Sequence, residues 1–325
     1  PAKDFQMIQP INGKIERSNQ KTEVKFAYDD VALYIGATLN DFGAGYDNDL
    51  QPGIMRQLGP RDVQGKSADL FGIFINPFND GINEFSFLVT AAGVQIDKRI
   101  VLTTNGYTED VNWDAVWESA VTIHENGWFV EIKIPYSAIR FPNQEVQEWG
   151  LNIYRELRRF REEYSWSLID LKKRHIGKQS GLLKGIHDIT PPLRLSLTPY
   201  MSSILSDDDM KFHYSGGIDL KYGFNITLPQ EDINLTLDMI LLPEFQQTEF
   251  DPLILNMSPF ETQYDEKRSF FTEGTELFQK GNLFYSRRIG GQPLPTQLNE
   301  NEIAVSEPEN TRLFNATKIS GRTKD

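Results

Sequence analysis

The stretch Thr22-Glu-Val-Lys-Phe-Ala-Tyr-Asp-Asp-Val-Ala-Leu-Tyr-Ile-Gly-Ala37 decides the fold of the N-terminal half of this chain. Apolar and polar residues alternate on both sides of the Asp29-Asp30 pair. Alternation with a period of two is typical of a strand with one buried face, and paired aspartates between two such runs favour a turn. The stretch therefore predicts an antiparallel β-hairpin.

Further short strand-like segments follow the hairpin, separated by stretches rich in turn-forming residues. The clearest are Phe71–Ile75, Glu84–Val89, Trp128–Ile134 and Leu151–Tyr154. Many short strands with little helical periodicity favour an all-β fold. We predict an antiparallel β-sandwich with a jelly-roll-like arrangement.

The proline pair Pro191-Pro192 marks a change in the character of the chain. Two prolines cannot continue a sheet ladder, so we predict domains at residues 1–190 and 191–325. Beyond the prolines the alternation extends over longer runs, at Leu193–Ile204, Gly217–Leu228 and Ile233–Ile240. Strands of this length with one apolar and one polar face suit a membrane β-barrel or a long soluble hairpin, and the pattern leaves both open.

Composition limits the kinds of function that the chain can have. Its 325 residues are 39% hydrophobic, which is enough to bury a large core. The formal net charge of -13 argues against a nucleic-acid partner, because phosphate binding needs a basic surface. The absence of cysteine excludes disulfides, thiolate metal sites and a cysteine nucleophile. Since the chain starts at Pro1 without an apolar leader, we expect a trimmed N-terminus from which any signal peptide has been removed.

Several separated motifs in the N-terminal half together resemble one known family of proteins. They are Tyr28-Asp29-Asp30, Arg61-Asp62, Asp69, Trp117 and Gly127-Trp-Phe-Val-Glu-Ile-Lys-Ile-Pro135. In order and spacing, residues 1–170 resemble family 9 carbohydrate-binding modules. The resemblance implies a glycan-binding β-sandwich, with carbohydrate as the partner and with structural calcium.

Motifs in the C-terminal part carry a second resemblance. They are Phe245–Asp251, Asn256–Ser258, Phe260-Glu261, Glu266–Gly274 and Leu283–Gly290. They are similar to a family of bacterial outer-membrane proteins in which a sugar-module-like periplasmic domain precedes a large barrel. This implies that residues 191–325 hold the first barrel strands and a plug-like segment. It also implies location in the cell outer membrane with the N-terminal domain periplasmic, contact with outer-membrane lipid, and other outer-membrane proteins as partners.

Aromatic and polar residues around one loop are the candidate glycan ligands. They are Tyr107, Asn112, Trp113, Asp114 and Trp117. Flat aromatic rings can stack on the apolar faces of sugar rings, while amides and carboxylates bind the hydroxyls. Burial of the tryptophans in the sandwich core is the alternative interpretation.

Turn aspartates are the candidate metal ligands. Hard oxygen ligands from loops suit calcium, so we predict Asp41, Asp69 and Asp80 as ligands of a structural calcium ion. The alternative is that these side chains form ordinary Asx turns.

No catalytic residue is predicted, because the many carboxylates give no pattern that singles out a pair. We therefore predict a glycan-binding periplasmic domain of an outer-membrane barrel protein that recognises or imports carbohydrate. Two alternatives stay open. One is a glycoside hydrolase that acts on polysaccharide, and the other is a non-catalytic scaffold subunit of an outer-membrane complex.

Overall fold

The structure is a computed structural model of the chain. It describes residues 1–42, 53–62, 67–103, 106–110, 113–173, 176–192, 194–206, 211–227, 232–242, 264, 266, 269–272, 284–290, 311 and 313–322. The chain divides into two compact units, Pro1–Pro192 and Leu193–Asp325. This division falls two residues after the domain boundary expected at residue 190.

Strands are the main regular secondary structure in the described part of the first unit. These are β1 (Gln6–Gln9), β2 (Thr22–Tyr28), β3 (Ala32–Asn40), β4 (Leu70–Asn76), β5 (Asn83–Thr90), β6 (Gln95–Thr103), β7 (Gly106–Asp110), β8 (Glu118–His124), β9 (Gly127–Pro135), β10 (Val146–Leu157), β11 (Glu162–Ser165) and β12 (Gly181–His187). Short 3-10 helices lie at Tyr136–Ala138, Arg158–Phe160 and Ile176–Gln179.

The strands of the first unit form two antiparallel sheets. The small sheet has the order β2-β3-β9-β8. The large sheet has the order β1-β11-β10-β4-β5-β6-β7, and β12 pairs with β10. The predicted hairpin is confirmed as β2 and β3, with Val24 opposite Ala37 and Tyr28 opposite Leu33.

One hydrophobic core lies between the two sheets. The small sheet contributes residues such as Leu33, Ile35 and Ile132, and the large sheet contributes residues such as Phe71 and Ile153, all at most 2% exposed. Removing this apolar surface from water is the main stabilising contribution to the fold. The predicted all-β fold with an antiparallel sandwich is confirmed.

The second unit contains a four-stranded antiparallel sheet. Its strands are β13 (Arg194–Ser206), β14 (Lys211–Thr227), β15 (Asp232–Leu241) and β16 (Asn315–Arg322), in the order β13-β14-β15-β16. A short helix α1 (Ser269–Thr272) and a 3-10 helix at Ser286–Arg288 are also described. The three predicted long strands correspond to β13, β14 and β15, whereas β16 was not predicted.

The two faces of this sheet differ in character, and the apolar face is the exposed one. Leu197, Leu220 and Met239 are paired in one row, and Leu197 is 61% exposed. On the opposite face, Asp238 and Lys318 are paired across β15 and β16, and their side chains are only 2% and 8% exposed. This arrangement is the reverse of the usual burial pattern in a water-soluble sheet. None of the helices in the described residues is long and apolar enough to span a membrane.

Candidate ligand-binding face

The large sheet has an outer face, which is the face turned away from the core. The residues of β4 that enter the core are Phe71, Ile73 and Ile75. Because side chains alternate along a strand, Phe74 points to the outer face, where the register places it opposite Asn152 and Ser86. We call the following residues the outer-face site: Phe74, Glu84, Ser86, Lys98, Asn152, Tyr154 and Glu163.

Two half-buried aromatic rings lie near the centre of the outer-face site. Phe74 and Tyr154 meet edge to face, with 6.2 Å between their ring centroids. They pack on a small apolar cluster of Leu70, Leu88 and Ile96. Gly72 makes room for this packing, since a Cβ atom at that position would lie 2.5 Å from Cδ2 of Leu88. The rings are therefore held by neighbours from several strands.

Polar groups surround the two rings. The Tyr154 hydroxyl donates a hydrogen bond to Glu163. The Glu84 carboxylate accepts a bond of 3.4 Å from the hydroxyl of Ser180, and Nζ of Lys98 lies 2.8 Å from the carboxylate of Glu109. The face thus combines carboxylates, an ammonium group and a phenol around an aromatic centre.

A segment between β11 and β12 forms a rim at one end of this face. The Asn152 side chain accepts a bond of 3.0 Å from the backbone N–H of Ser167 and donates one of 3.0 Å to its carbonyl. Further along, the backbone N–H of Gly177 donates to the hydroxyl of Tyr107 at 2.7 Å. These bonds fix the rim to the sheet.

Burial changes the protonation of carboxyl groups on this face. Desolvation raises the pKa of Glu84 to about 7 from its ordinary value of 4.5, against the opposing effect of the Ser180 hydrogen bond. Desolvation, followed by the negative charge of Glu156, also raises the pKa of Glu163. Near neutral pH, Glu84 can therefore donate a hydrogen bond as well as accept one.

We expect the substitution Glu84→Gln to remove a pH dependence from the stability of the first unit. In the folded state the carboxyl keeps its proton up to about pH 7, whereas the unfolded group loses it near 4.5. This contribution to stability is complete below the unfolded pKa and is lost as the pH rises through the folded pKa, with a slope of about 1.4 kcal/mol per pH unit. Urea unfolding from about pH 4 to about pH 8 measures the slope.

The matched control for this experiment is Glu131→Gln, because Glu131 is an exposed carboxylate on β9. It should leave the pH dependence as it is in the unchanged protein. If the free energy of unfolding depends on pH with the same slope in the unchanged protein and in the Glu84→Gln variant between about pH 4 and about pH 8, the prediction is contradicted.

The structure separates the predicted glycan ligands. Tyr107 lies at the rim of the outer face, but Trp113 and Trp117 pack on the core side of the sheet against Phe87, with ring centroids 5.9 Å and 5.4 Å away. Trp117 is 5% exposed and its Nε1–H donates to Asp97 at 3.0 Å, so its ring faces are covered by the core.

Asp114 does not join Tyr107 either. It is exposed and forms an ion pair of 3.1 Å with Arg61. Asn112 lies outside the described residues. The structure therefore does not bring the four described residues of the predicted set into one site, because the sheet itself lies between Tyr107 and the tryptophans.

The predicted metal ligands have protein partners of their own. Nη1 of Arg159 lies 2.6 Å from the Asp41 carboxylate, and Asp69 accepts a bond of 2.8 Å from the backbone of Arg158. Desolvation raises the pKa of Asp69 to about 6. Asp80 caps its own turn, since it accepts a bond of 2.8 Å from the backbone N–H of Ile82. The calcium ion stays a prediction.

A different set of aspartates is the one close acidic cluster among the described residues. Asp62, Asp97 and Asp114 have carboxylate oxygens within 4.8 Å of one another. The guanidinium of Arg61 lies among them, 2.6 Å from Asp97 and 3.1 Å from Asp114. It supplies the positive charge that the cluster requires.

Sequence reasoning missed Phe74, Glu84 and Tyr154. Phe74 and Tyr154 lie in the predicted strands Phe71–Ile75 and Leu151–Tyr154, for which no face was predicted. One signal was available in the sequence: Phe74 is out of phase with Phe71, Ile73 and Ile75, which indicates the opposite face. The register between β4, β5 and β10, which brings the three residues together, has no signal in a single sequence.

Comparison with known proteins gives the following similarities. The profile of a family described as "Domain of unknown function (DUF5916)" matches residues 191–325. No curated protein matches the chain.

Two similar solved structures are of a family 9 carbohydrate-binding module (CBM9) from Caldicellulosiruptor kristjanssonii. The one in complex with glucose is 14% identical, covers 58% of this chain and 88% of its own, and has a TM-score of 0.34. The one in complex with cellotriose is 14% identical, covers 57% of this chain and 85% of its own, and has a TM-score of 0.35. At these TM-scores the similarity carries no functional conclusion for this chain.

Proposed function

We propose that the first unit binds carbohydrate on the outer face of its large sheet. The observation that carries this proposal is the pair of half-buried rings, Phe74 and Tyr154, surrounded by polar groups on one sheet face. A sugar ring offers apolar C–H faces to aromatic side chains and hydroxyls to polar ones. The outer-face site offers both kinds of partner, with Lys98 and Glu163 as half-buried polar groups on the same face as the two rings.

The partners of the carboxylates favour binding over catalysis. Glu156 lies opposite Glu163 in the register on this face, so these two acids are neighbours across the strands. However, Glu156 forms an ion pair of 2.8 Å with Arg158, and Glu163 accepts a bond from Tyr154. Such partners hold both groups in structural roles, whereas general acid–base catalysis needs a group free to exchange a proton with substrate. Release of reducing ends from polysaccharides by the purified protein would favour the hydrolase alternative instead.

We expect Phe74→Ala to weaken glycan binding at least about tenfold, because it removes one of the two stacking rings. Titration calorimetry with glucose and cellotriose, the ligands of the similar structures, followed by a glycan array, measures this. The matched control is Phe314→Ala, since Phe314 is 81% exposed and lies in the second unit. Equal affinities for the two variants, or no glycan binding at all, would refute the proposal.

We further propose that the sheet of the second unit lies in a membrane with its apolar face toward lipid. A bilayer would cover residues such as Leu195, Leu197 and Met201, which are 64%, 61% and 86% exposed. The other face carries the buried pair Asp238 and Lys318, as expected for a polar side shielded from lipid. Most of the segment predicted as plug-like, including residues 245–261, lies outside the described residues.

Taken together, these proposals describe a carbohydrate-binding domain attached to a membrane β-sheet at the bacterial outer membrane, with the binding domain in the periplasm. Lipid is then a partner of the second unit, and carbohydrate is the partner of the first. The scaffold alternative is favoured if the protein co-purifies with another outer-membrane protein and binds no glycan.

A further inference from the structure

The rim between β11 and β12 is a small folded unit of its own. Its described residues are 166–173 and 176–180. The hydroxyl of Ser167 donates to the carbonyl of Gln179 at 2.7 Å, and the backbone N–H of Asp170 donates to the side-chain oxygen of Gln179 at 2.8 Å. These bonds join the two limbs of the rim, so we expect the rim to move as one piece.

The rim buries little surface of its own. Among its residues with a described burial, Gly177 is the one that is buried, and Leu171 is 51% exposed. At its base Trp166 packs on Gly181, where a Cβ atom would lie 2.5 Å from Cζ3 of Trp166. Burial of apolar surface is the main force that holds a segment to a core. A segment with so few buried residues can therefore detach while the two sheets stay folded.

Side chains of the large sheet hold the rim in place. Besides the bonds between Asn152 and the first limb, two contacts hold the second limb. The Tyr107 hydroxyl accepts the backbone N–H of Gly177 at 2.7 Å, and the Glu84 carboxyl group accepts the hydroxyl of Ser180 at 3.4 Å. Desolvation raises the pKa of Tyr107, and the charge of Glu84 raises it as well, so these two anchors are close enough to interact.

Glu84 is the anchor whose charge changes near neutral pH. Its residue is 8% exposed, and desolvation raises its pKa to about 7 against the opposing effect of the Ser180 bond. When the rim detaches, water reaches the carboxyl group and its pKa returns toward the ordinary value of 4.5. The closed form therefore binds this proton more tightly than the open form.

Among the described residues, no positive charge compensates the ionisation of Glu84, because desolvation and the Ser180 bond are the two effects on its pKa. Opposite Glu84, β6 places the uncharged Ile100, and Nζ of Lys98 is already 2.8 Å from the carboxylate of Glu109. Arg99 points to the other face, where it donates to Asn83 at 2.8 Å. The titratable and charged groups on the elements around Glu84 are Asp80 in the turn before β5, Lys98 on β6, Tyr107 and Glu109 on β7, and Asp170, Lys172, Lys173 and Lys178 in the rim.

We propose that the rim detaches from the large sheet when the carboxyl group of Glu84 loses its proton. The rim is closed in acidic solution, because the closed form keeps the neutral carboxyl group away from water. This preference is complete below the ordinary pKa of 4.5 and is lost as the pH rises through about 7. Ionised Glu84 then adds a negative charge to the outer-face site. The change requires no ligand, so it does not depend on what that site binds.

Amide hydrogen exchange of the whole protein, read by mass spectrometry, tests this proposal. The protection factor is the suitable quantity, because it removes the intrinsic pH dependence of exchange. The amides of Ser167 and Gly177 donate to the two limbs' anchors on the sheet. Both should lose protection together, by at least about tenfold, between about pH 5.5 and about pH 8.5. The amide of Ile132 in the core strand β9 should be protected at least about tenfold more than either at every pH, because its exchange requires unfolding of the sheets.

Two variants assign the effect to Glu84. In Glu84→Gln the side chain is always neutral, so the protection of Ser167 and Gly177 should not change with pH. Glu109→Gln is the matched control, since Glu109 is an exposed carboxylate on the same face, and it should keep the loss of the unchanged protein. The inference is overturned if the protection of Gly177 is constant with pH in the unchanged protein, if Ser167, Gly177 and Ile132 are equally protected, or if Glu84→Gln keeps the loss.

Discussion

Replacing Arg159 with methionine is expected to destabilise the first unit by about 3–5 kcal/mol, because it leaves a buried aspartate without its counter-charge. Asp41 is 0% exposed, and both of its oxygens accept hydrogen bonds from the guanidinium of Arg159, one of them at 2.6 Å. The guanidinium carbon of Arg159 also lies 4.5 Å from the centroid of the Phe160 ring. Methionine keeps an apolar stem but provides no charge. The carboxylate must then be buried alone or take up a proton.

The surroundings of Asp41 make the loss severe. Gln20 donates the one further side-chain bond to its carboxylate that the described residues provide, at 3.3 Å. Arg155 is fully buried nearby, but its guanidinium already donates to the Gln20 and Asn40 carbonyls at 2.7 Å and to the Thr22 hydroxyl at 2.9 Å. It therefore has little capacity to replace Arg159.

Tryptophan fluorescence during urea unfolding is the suitable measurement, since all five tryptophans lie before Pro192 and report on the first unit. The matched control is Arg161→Met, because Arg161 is exposed two residues further along the chain. Neutralising the aspartate as well, in Asp41→Asn with Arg159→Met, should recover part of the loss. A loss below about 1 kcal/mol for Arg159→Met would show that the pair behaves like an exposed ion pair.

The fold could be predicted where one strand face is apolar and the other is polar. In β2 and β3 this alternation gives both the strands and the buried face, which contains Val24, Leu33 and Ile35. The strand β5 also alternates in the sequence, with Glu84 and Ser86 set against Phe85 and Phe87, yet all of its residues are buried in the structure. Its two faces could therefore be distinguished from the sequence, but the burial of the polar face could not be predicted.

The outer-face site could not be predicted because it depends on register and on burial of charge. Glu84 is a strand residue in the sequence like any other. Its raised pKa arises from desolvation by burial, against the opposing effect of Ser180, which lies 96 positions away in the sequence. In the same way, Asp41 has no signal that distinguishes an ion-pair partner from a calcium ligand. Its partner Arg159 lies 118 positions away in the sequence.

The burial of the tryptophans in the predicted ligand loop could not be predicted from the sequence either. Trp113 lies between Asn112 and Asp114 in the sequence, which left exposure and burial equally open. In the structure, Asp114 joins Arg61 and Asp97 in an ion-pair cluster, and the indole rings of Trp113 and Trp117 pack against the core. Tryptophan has both an apolar body and a polar N–H, so polar neighbours in the sequence are compatible with burial.

An arginine on the apolar face of the second unit is expected to oppose membrane insertion, whereas one on the opposite face should not. Leu197→Arg places a charge where the proposal puts lipid, at a cost of about 2–4 kcal/mol near the bilayer midplane and less toward its surface. That cost corresponds to a change of about thirtyfold or more in the membrane-bound fraction at equilibrium. The matched control is Thr198→Arg, one residue further along β13 and on the other face of the sheet.

Co-flotation of the protein with phosphatidylcholine vesicles in a density gradient measures this difference. The unchanged protein and Thr198→Arg should float with the vesicles, and Leu197→Arg should remain largely at the bottom. The two variants form a matched pair because neighbouring side chains on a strand point to opposite faces of the sheet. Both substitutions therefore add the same charge at nearly the same depth. If the two arginine variants float to the same extent, then the exposed apolar face does not meet lipid, and a protein partner must cover it instead.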